Sequence, residues 1–162
     1  MTFIVDGTNG LTFPNSTTQA SAGRVLQVVQ GNITGYAATQ STSFVTTGLT
    51  ASITPKFASS KIAIFVSGQS YINSTNINCY YTIFRGTVSG TNLGNATSGM
   101  TTMYSSSTST INGSVAMSYI DSPATTSSQT YTVGFRVENA AMTAYFATNS
   151  QTNTIILMEI AA

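Results

Sequence analysis

Hydrophobic positions along the chain fall into short runs, and the most orderly stretch is residues 48–68, GLTASITPKFASSKIAIFVSG. Leu49, Ala51 and Ile53 alternate with Thr50, Ser52 and Thr54, the two-residue period of a strand with one buried face. Pro55 has no N–H to donate to a ladder and ends the strand. Residues 56–61 then make a polar corner expected to tuck Phe57 inside. The chain returns as Ile62-Ala63-Ile64-Phe65-Val66, apolar on both faces. Such a strand has to be covered from two sides.

The same reading applied in order predicts a β protein throughout. Residues 1–23 form a separate segment, with Phe3-Ile4-Val5 and Leu11-Thr12-Phe13 as two short strands around the turn dipeptides Asp6-Gly7 and Asn9-Gly10. Pro14 and the small residues up to Gly23 read as a linker. Two three-residue strands are not stable alone, so this arm is expected to dock on something. The domain proper spans residues 24–162. Its expected strands are Val25–Val29, Leu49–Ile53, Ile62–Val66, Ile77–Arg85, Ile111–Ile120, Tyr131–Val137, Met142–Ala147 and Thr154–Ile160. Residues 31–43 read as a loop or a short edge strand. Residues 86–110 read as an exposed loop with a brief strand at Met100–Tyr104. Tyr131, Val133, Phe135 and Val137 alternate with Thr132, Gly134, Arg136 and Glu138, which predicts one face in water. No apolar run keeps helical spacing, and turn signals every 8–12 residues or so point to an antiparallel sandwich or jelly roll.

Three strands break the expectation for a lone sandwich, in which each sheet has one wet face. In Thr154–Ile160, Ile155 and Leu157 share one face while Ile156, Met158 and Ile160 share the other. Val25–Val29 and Ile62–Val66 are double-sided in the same way. The pattern predicts that one sheet is covered outside as well as inside, by another copy of the chain. Val25, Val29, Ile64, Ile156, Met158 and Ile160 are the candidate interface residues.

Composition narrows the chemistry. Only 6% of the 162 residues are charged, against roughly a quarter in typical soluble proteins. Ser and Thr number 51 and Asn 12, so the surface is polar through hydroxyls and amides. A net charge of +1 supplies no field for nucleic acid or acidic lipid, and neither partner is expected. No segment approaches the roughly 18 apolar residues of a membrane span. The start, MTFIVDGTNG, lacks a basic region and an apolar run, so synthesis in a cytoplasm is expected. Cys79 stands alone, which excludes an intrachain disulfide and suggests a buried, inert thiol. Five Asn-x-Ser/Thr sequons occur, at Asn15, Asn32, Asn73, Asn95 and Asn112, but about four arise by chance at this Ser/Thr density, so they carry no argument.

Catalytic chemistry has little to build on. There is no histidine, the commonest general base and metal ligand. The carboxylates are Asp6, Asp121, Glu138 and Glu159, placed on separate turns and strand ends, whereas a glycosidase needs two facing each other. No Asp-x-Asp run or Cys pair has metal-ligand spacing. The glycines of GTVSGTNLGNATSG lack the Lys-Ser/Thr and helix of a phosphate loop. Neither an enzyme nor a cofactor is expected. Glu159, in an apolar last strand, would need a partner if buried, with Arg24, Arg85 and Arg136 as candidates. Tyr71, Tyr80, Tyr104 and Tyr119 are candidate sugar-facing rings, though each also suits a core or interface position.

TGLTASITPKFASSKI, taken with DGTNGLTFPNSTTQ near the start and TIILMEIAA at the end, resembles the fibre and decoration proteins of tailed bacteriophages. The resemblance spans nearly the whole chain and rests on structural motifs. It implies a virion structural protein with a homotrimeric jelly-roll domain, as in tumour-necrosis-factor-like and C1q-like proteins, where first and last strands lie together facing a threefold axis. It further implies a knob on a tail fibre or a capsid decoration protein, displayed on the virion surface and touching the host or its glycans. Residues 1–23 would then be the attachment arm to other virion proteins, through Phe3, Ile4, Val5, Leu11 and Phe13. Alternative classes are a C1q-like carbohydrate-binding module outside a virion and, against the carboxylate count, a polysaccharide depolymerase.

Overall fold

The structure is a computed structural model. It describes residues 24–73, 76–106, 110–147 and 150–161, and three backbone strands among the first 23. Those three are β1 (Ile4–Asp6), β2 (Gly10–Thr12) and β3 (Thr18–Gln19), an antiparallel sheet in the order β1-β2-β3. The first two overlap the expected Phe3–Val5 and Leu11–Phe13 but are each shifted by one residue, taking in Asp6 and Gly10 of the expected turns, and β3 lies inside the stretch expected to be a linker.

The rest of the chain is all-β, two antiparallel sheets enclosing one apolar core, consistent with a sandwich. Its strands are β4 (Val25–Ile33), β5 (Ala37–Thr39), β6 (Val45–Ile53), β7 (Lys61–Ile72), β8 (Ile77–Arg85), β9 (Thr91–Asn92), β10 (Thr101–Ser105), β11 (Ile111–Asp121), β12 (Gln129–Val137), β13 (Ala144–Phe146) and β14 (Asn153–Ile160). One sheet runs β10-β8-β12-β6, with β9 on β8. The other runs β4-β14-β7-β13-β5, with β11 along the second edge of β7. Here β7 is the spine: β11 pairs with it over its whole length from Ile62 to Ile72, while β14 and β13 share the opposite edge.

The alternation read from β6 holds, for Leu49, Ala51 and Ile53 are buried and Thr50, Ser52 and Thr54 exposed. Gly48 interrupts the strand at φ +84°, a conformation glycine adopts without a Cβ clash. It marks a bulge at which the register to β12 shifts between Thr132 and Gly134. The Thr47 hydroxyl donates to the Val133 carbonyl at 2.9 Å there, so the displaced backbone keeps a partner. A second glycine lets the two sheets close: a Cβ on Gly31 of β4 would stand 2.0 Å from the Thr50 carbonyl oxygen of β6. The core between the sheets is filled by Leu49, Ile64, Tyr81, Ile83, Val133, Phe135, Phe146, Ile155 and Leu157, each fully buried.

Two local expectations are corrected. Phe57 is not tucked into its corner but is 55% exposed. Strand β12 does not turn one face to water, since Thr132 and Gly134 are buried along with Tyr131, Val133 and Phe135. The reason lies in residues 86–100, which return along the edge of β8 and lay Asn92, Gly94 and Thr97 over the outward Thr82 and Arg136. Leu93 N–H donates to Ile83 O (2.9 Å) and Met100 N–H to Tyr81 O (2.7 Å). The Thr82 hydroxyl donates to Asn92 Oδ1 at 2.6 Å. Phe84 lies against Gly134 and packs edge-on to Phe44 at 5.7 Å.

Candidate interaction surface

The outer face of the β4-β14-β7-β11 sheet carries a continuous apolar patch. Strand register sets it, because residues opposite each other on neighbouring strands share a face. Met158 pairs with Val28 on one side and Ala63 on the other, and Ala63 pairs with Ile120. One apolar row thus crosses all four strands. The next row is Gln30, Ile156, Phe65 and Ser118, and on the other side Val25 and Ile160 extend the patch to Lys61. Val28 is 56% exposed, Ile120 60%, Val25 50% and Phe65 45%. With strands about 4.8 Å apart and same-face residues about 6.7 Å apart, the eight apolar positions cover on the order of 260 Å², close to the size of the largest apolar patch on a typical monomer, which is often functional.

Of the six candidate interface residues, Val25, Ile156, Met158 and Ile160 lie on this patch. Ile64 and Val29 do not, and the expectation is corrected. Both pair with Leu157, on the inner face. Ile64 is fully buried and Val29 packs on the core. A double-sided apolar sequence does not say which face is which. The long register of β7 between β14 and β11 decides it. Sequence reasoning missed Val28, Phe65 and Ile120: alternation sets Phe65 on the face opposite Ile64, but only the pairing of β7 with β14 and β11 says which face is outward.

Of the expected attachment residues, Ile4, Val5 and Leu11 lie in β1 and β2, described as backbone only. Phe3 and Phe13 lie outside the described residues.

The carboxylates with described side chains are each engaged by structural partners. Asp121 ends β11, nearly buried, paired with Arg85 at 3.3 Å and accepting from the Tyr131 hydroxyl at 2.8 Å. Burial pushes the Tyr131 pKa up, and the Asp121 carboxylate adds to the effect. Glu138 accepts from the Asn78 side-chain amide at 2.7 Å. Glu159 is fully buried at one end of the sandwich and takes none of the expected arginines. It accepts from the Gln27 side-chain amide at 2.6 Å and from the Lys56 N–H at 2.7 Å. Burial alone would raise its pKa, but the Ser60 hydroxyl beside it, the Gln27 amide and the N–H groups of Lys56 and Phe57 outweigh that and hold it below the usual value. The corner after Pro55 is therefore an anion-holding turn. Cys79 is buried as expected, and burial pushes its thiol up to about 12, which leaves it unreactive at neutral pH. No group of three His, Cys, Asp or Glu among the described residues is placed to hold a metal ion, and no described helix is long and apolar enough to cross a membrane.

The tyrosines separate into different settings. Tyr71 stacks obliquely on Tyr145 (5.1 Å), which in turn meets Tyr36 (6.2 Å), at the far end of the patch-bearing sheet. Tyr104 is exposed, its hydroxyl 3.3 Å from Asn76 Oδ1, and Tyr119 is partly exposed on β11. Tyr80 lies under the Arg136 guanidinium at 4.4 Å. Compared with protein-family models and with curated proteins, the chain matches none.

Proposed function

We propose that this protein is a non-enzymatic structural component of a tailed-bacteriophage virion, a homotrimeric jelly-roll knob displayed on the particle surface. The observation that carries the reading is the apolar row Val28–Met158–Ala63–Ile120 across the outer face of one sheet. Left in water such a face promotes aggregation, and covering it with a second copy removes it from solvent without any charge to desolvate. The strand orders β10-β8-β12-β6 and β4-β14-β7-β11 support the jelly-roll reading, because eight long strands divide into two four-stranded antiparallel sheets with first and last as neighbours. The copy number of three comes from the phage resemblance. A stable interface buries about 800 Å² per partner, so the contact extends well beyond the patch, and the row of Thr154, Asn32, Ser67 and Ala116 is the first beside it. The structural engagement of Asp121, Glu138 and Glu159 supports a non-enzymatic role.

In this reading residues 1–23 attach the knob to a capsid or tail protein. Extended segments gain affinity by adding to a neighbour's sheet, and three copies multiply it by avidity. Immunogold labelling of particles from a lysate tests the assignment. Label at the particle surface, lost when residues 1–23 are deleted, is the expected result. Label confined to free protein would overturn it.

A further inference from the structure

The opposite sheet carries a cavity of about 350 Å³ lined by Thr42, Ser43, Phe44, Ala96, Thr97 and Arg136. It opens between residues 42–44, leading into β6, and the small turn closed by the Asn95–Gly99 bridge. Arg136 of β12 forms its floor. Nε donates to Thr97 O at 2.8 Å, Nη2 donates to the same oxygen, and Nη1 donates to Thr42 O at 3.1 Å and Val137 O at 3.4 Å. The guanidinium also lies over the rings of Tyr80 and Phe44 at 4.4 and 5.5 Å. All these partners are neutral. The ion pair among the described residues is Arg85 with Asp121, and Glu138, two residues along, is bonded to Asn78. The cation is thus rigidly held, uncompensated and at the foot of an open cavity.

We propose that this cavity binds the carboxylate of an acidic saccharide. A guanidinium has five N–H groups, and the four contacts above leave one on Nη2 to donate to a carboxylate oxygen. The carbonyl of Thr42 accepts one bond from Arg136 and keeps a lone pair for a sugar hydroxyl, whereas that of Thr97 already accepts two. The Thr and Ser hydroxyls serve as further donors or acceptors, and Phe44 offers an apolar wall. The volume suits one sugar residue. The pocket sits on the sheet opposite the apolar patch, so assembly through that patch leaves it open. This placement gives the site its meaning within the virion reading, but binding is a property of the purified chain and is tested without it.

The test is saturation-transfer NMR on the full chain with sialyllactose and tetragalacturonate, and with lactose as the neutral control. Transfer to the acidic residues is expected, with Kd on the order of 1 mM, weakening as salt is raised. Arg136→Gln should weaken binding at least about tenfold, as loss of a charged hydrogen bond does. Because Arg136 also holds two loops, a Ser43→Tyr/Ala96→Tyr variant fills the cavity with Arg136 retained, and it too should lose binding while melting as wild type. Equal transfer to lactose, binding that survives both variants, or no transfer from either acidic probe would overturn the proposal. A trimeric, virion-bound chain that binds no acidic saccharide would refute this site alone.

Discussion

The two outer faces of the sandwich solve the same problem differently. On the sheet built from β10, β8, β12 and β6, the chain covers itself: residues 86–100 fold over Thr82, and Phe84 and Phe44 close over Gly134. On the sheet built from β4, β14, β7 and β11, no comparable cover is described, and Val25, Val28, Phe65 and Ile120 stand in water. A segment rich in Gly, Ser, Thr and Asn can be a cover, since its backbone N–H groups bond the edge of the neighbouring strand and its small residues then turn closely over the face. An apolar face with no such segment above it calls for another molecule.

The sharpest way to break that contrast is a charge on each face. Met158→Asp buries an unpaired carboxylate in the proposed interface, at a cost of about 3–5 kcal/mol. Sedimentation should show assembly lost with the strand content unchanged by circular dichroism. On the self-covered face the damage should fall on folding instead. Phe84→Ala, at a site 4% exposed, is expected to lower unfolding free energy by about 3 kcal/mol, measured by denaturant titration, with the mass of the assembly unchanged. If Phe84→Ala dissociated the protein and Met158→Asp did not, the roles of the two faces would be reversed.

These faces were only partly legible in the sequence. The alternation in β6 and the boundaries of β8 were readable because side-chain period and turn residues are local signals. That Ile64 points inward and Phe65 outward was not, because both are apolar and only pairing with β14 and β11 settles the face. The cover over β12 was hidden for a different reason. Its residues look like an exposed loop, and their docking rests on backbone hydrogen bonds that no side-chain pattern announces. Glu159 was readable as an anomaly, but its partners were not, since they are an amide and backbone N–H groups instead of a cation. The Arg136 pocket left no sequence signal, for it joins residues 42–44, 96–97 and 136.

A smaller effect distinguishes the end of the sandwich where Glu159 sits. Its carboxyl is held below the ordinary 4.5, so its stabilising contribution is full above that pH and is lost as pH falls through the lowered value. Wild-type melting temperature should therefore fall more steeply below pH 4.5 than that of Glu159→Gln. At neutral pH the variant should be less stable by about 1–3 kcal/mol, through disturbance of its buried donors. Parallel pH profiles would show that the corner does not hold an anion. Smallest of all is the effect expected from removing residues 1–23, which should leave melting temperature and assembly of residues 24–162 unchanged while abolishing attachment to particles. Unfolding of the shortened chain would make the arm part of the domain.

The central claim, that the bare face of the β4-β14-β7-β11 sheet is covered by copies of the same chain, is tested most directly by the mass of the purified protein in solution. Light scattering at micromolar concentration should give three times the chain mass of 16.9 kDa, falling to the single-chain mass on Met158→Asp. A stable wild-type species at 16.9 kDa would contradict the account.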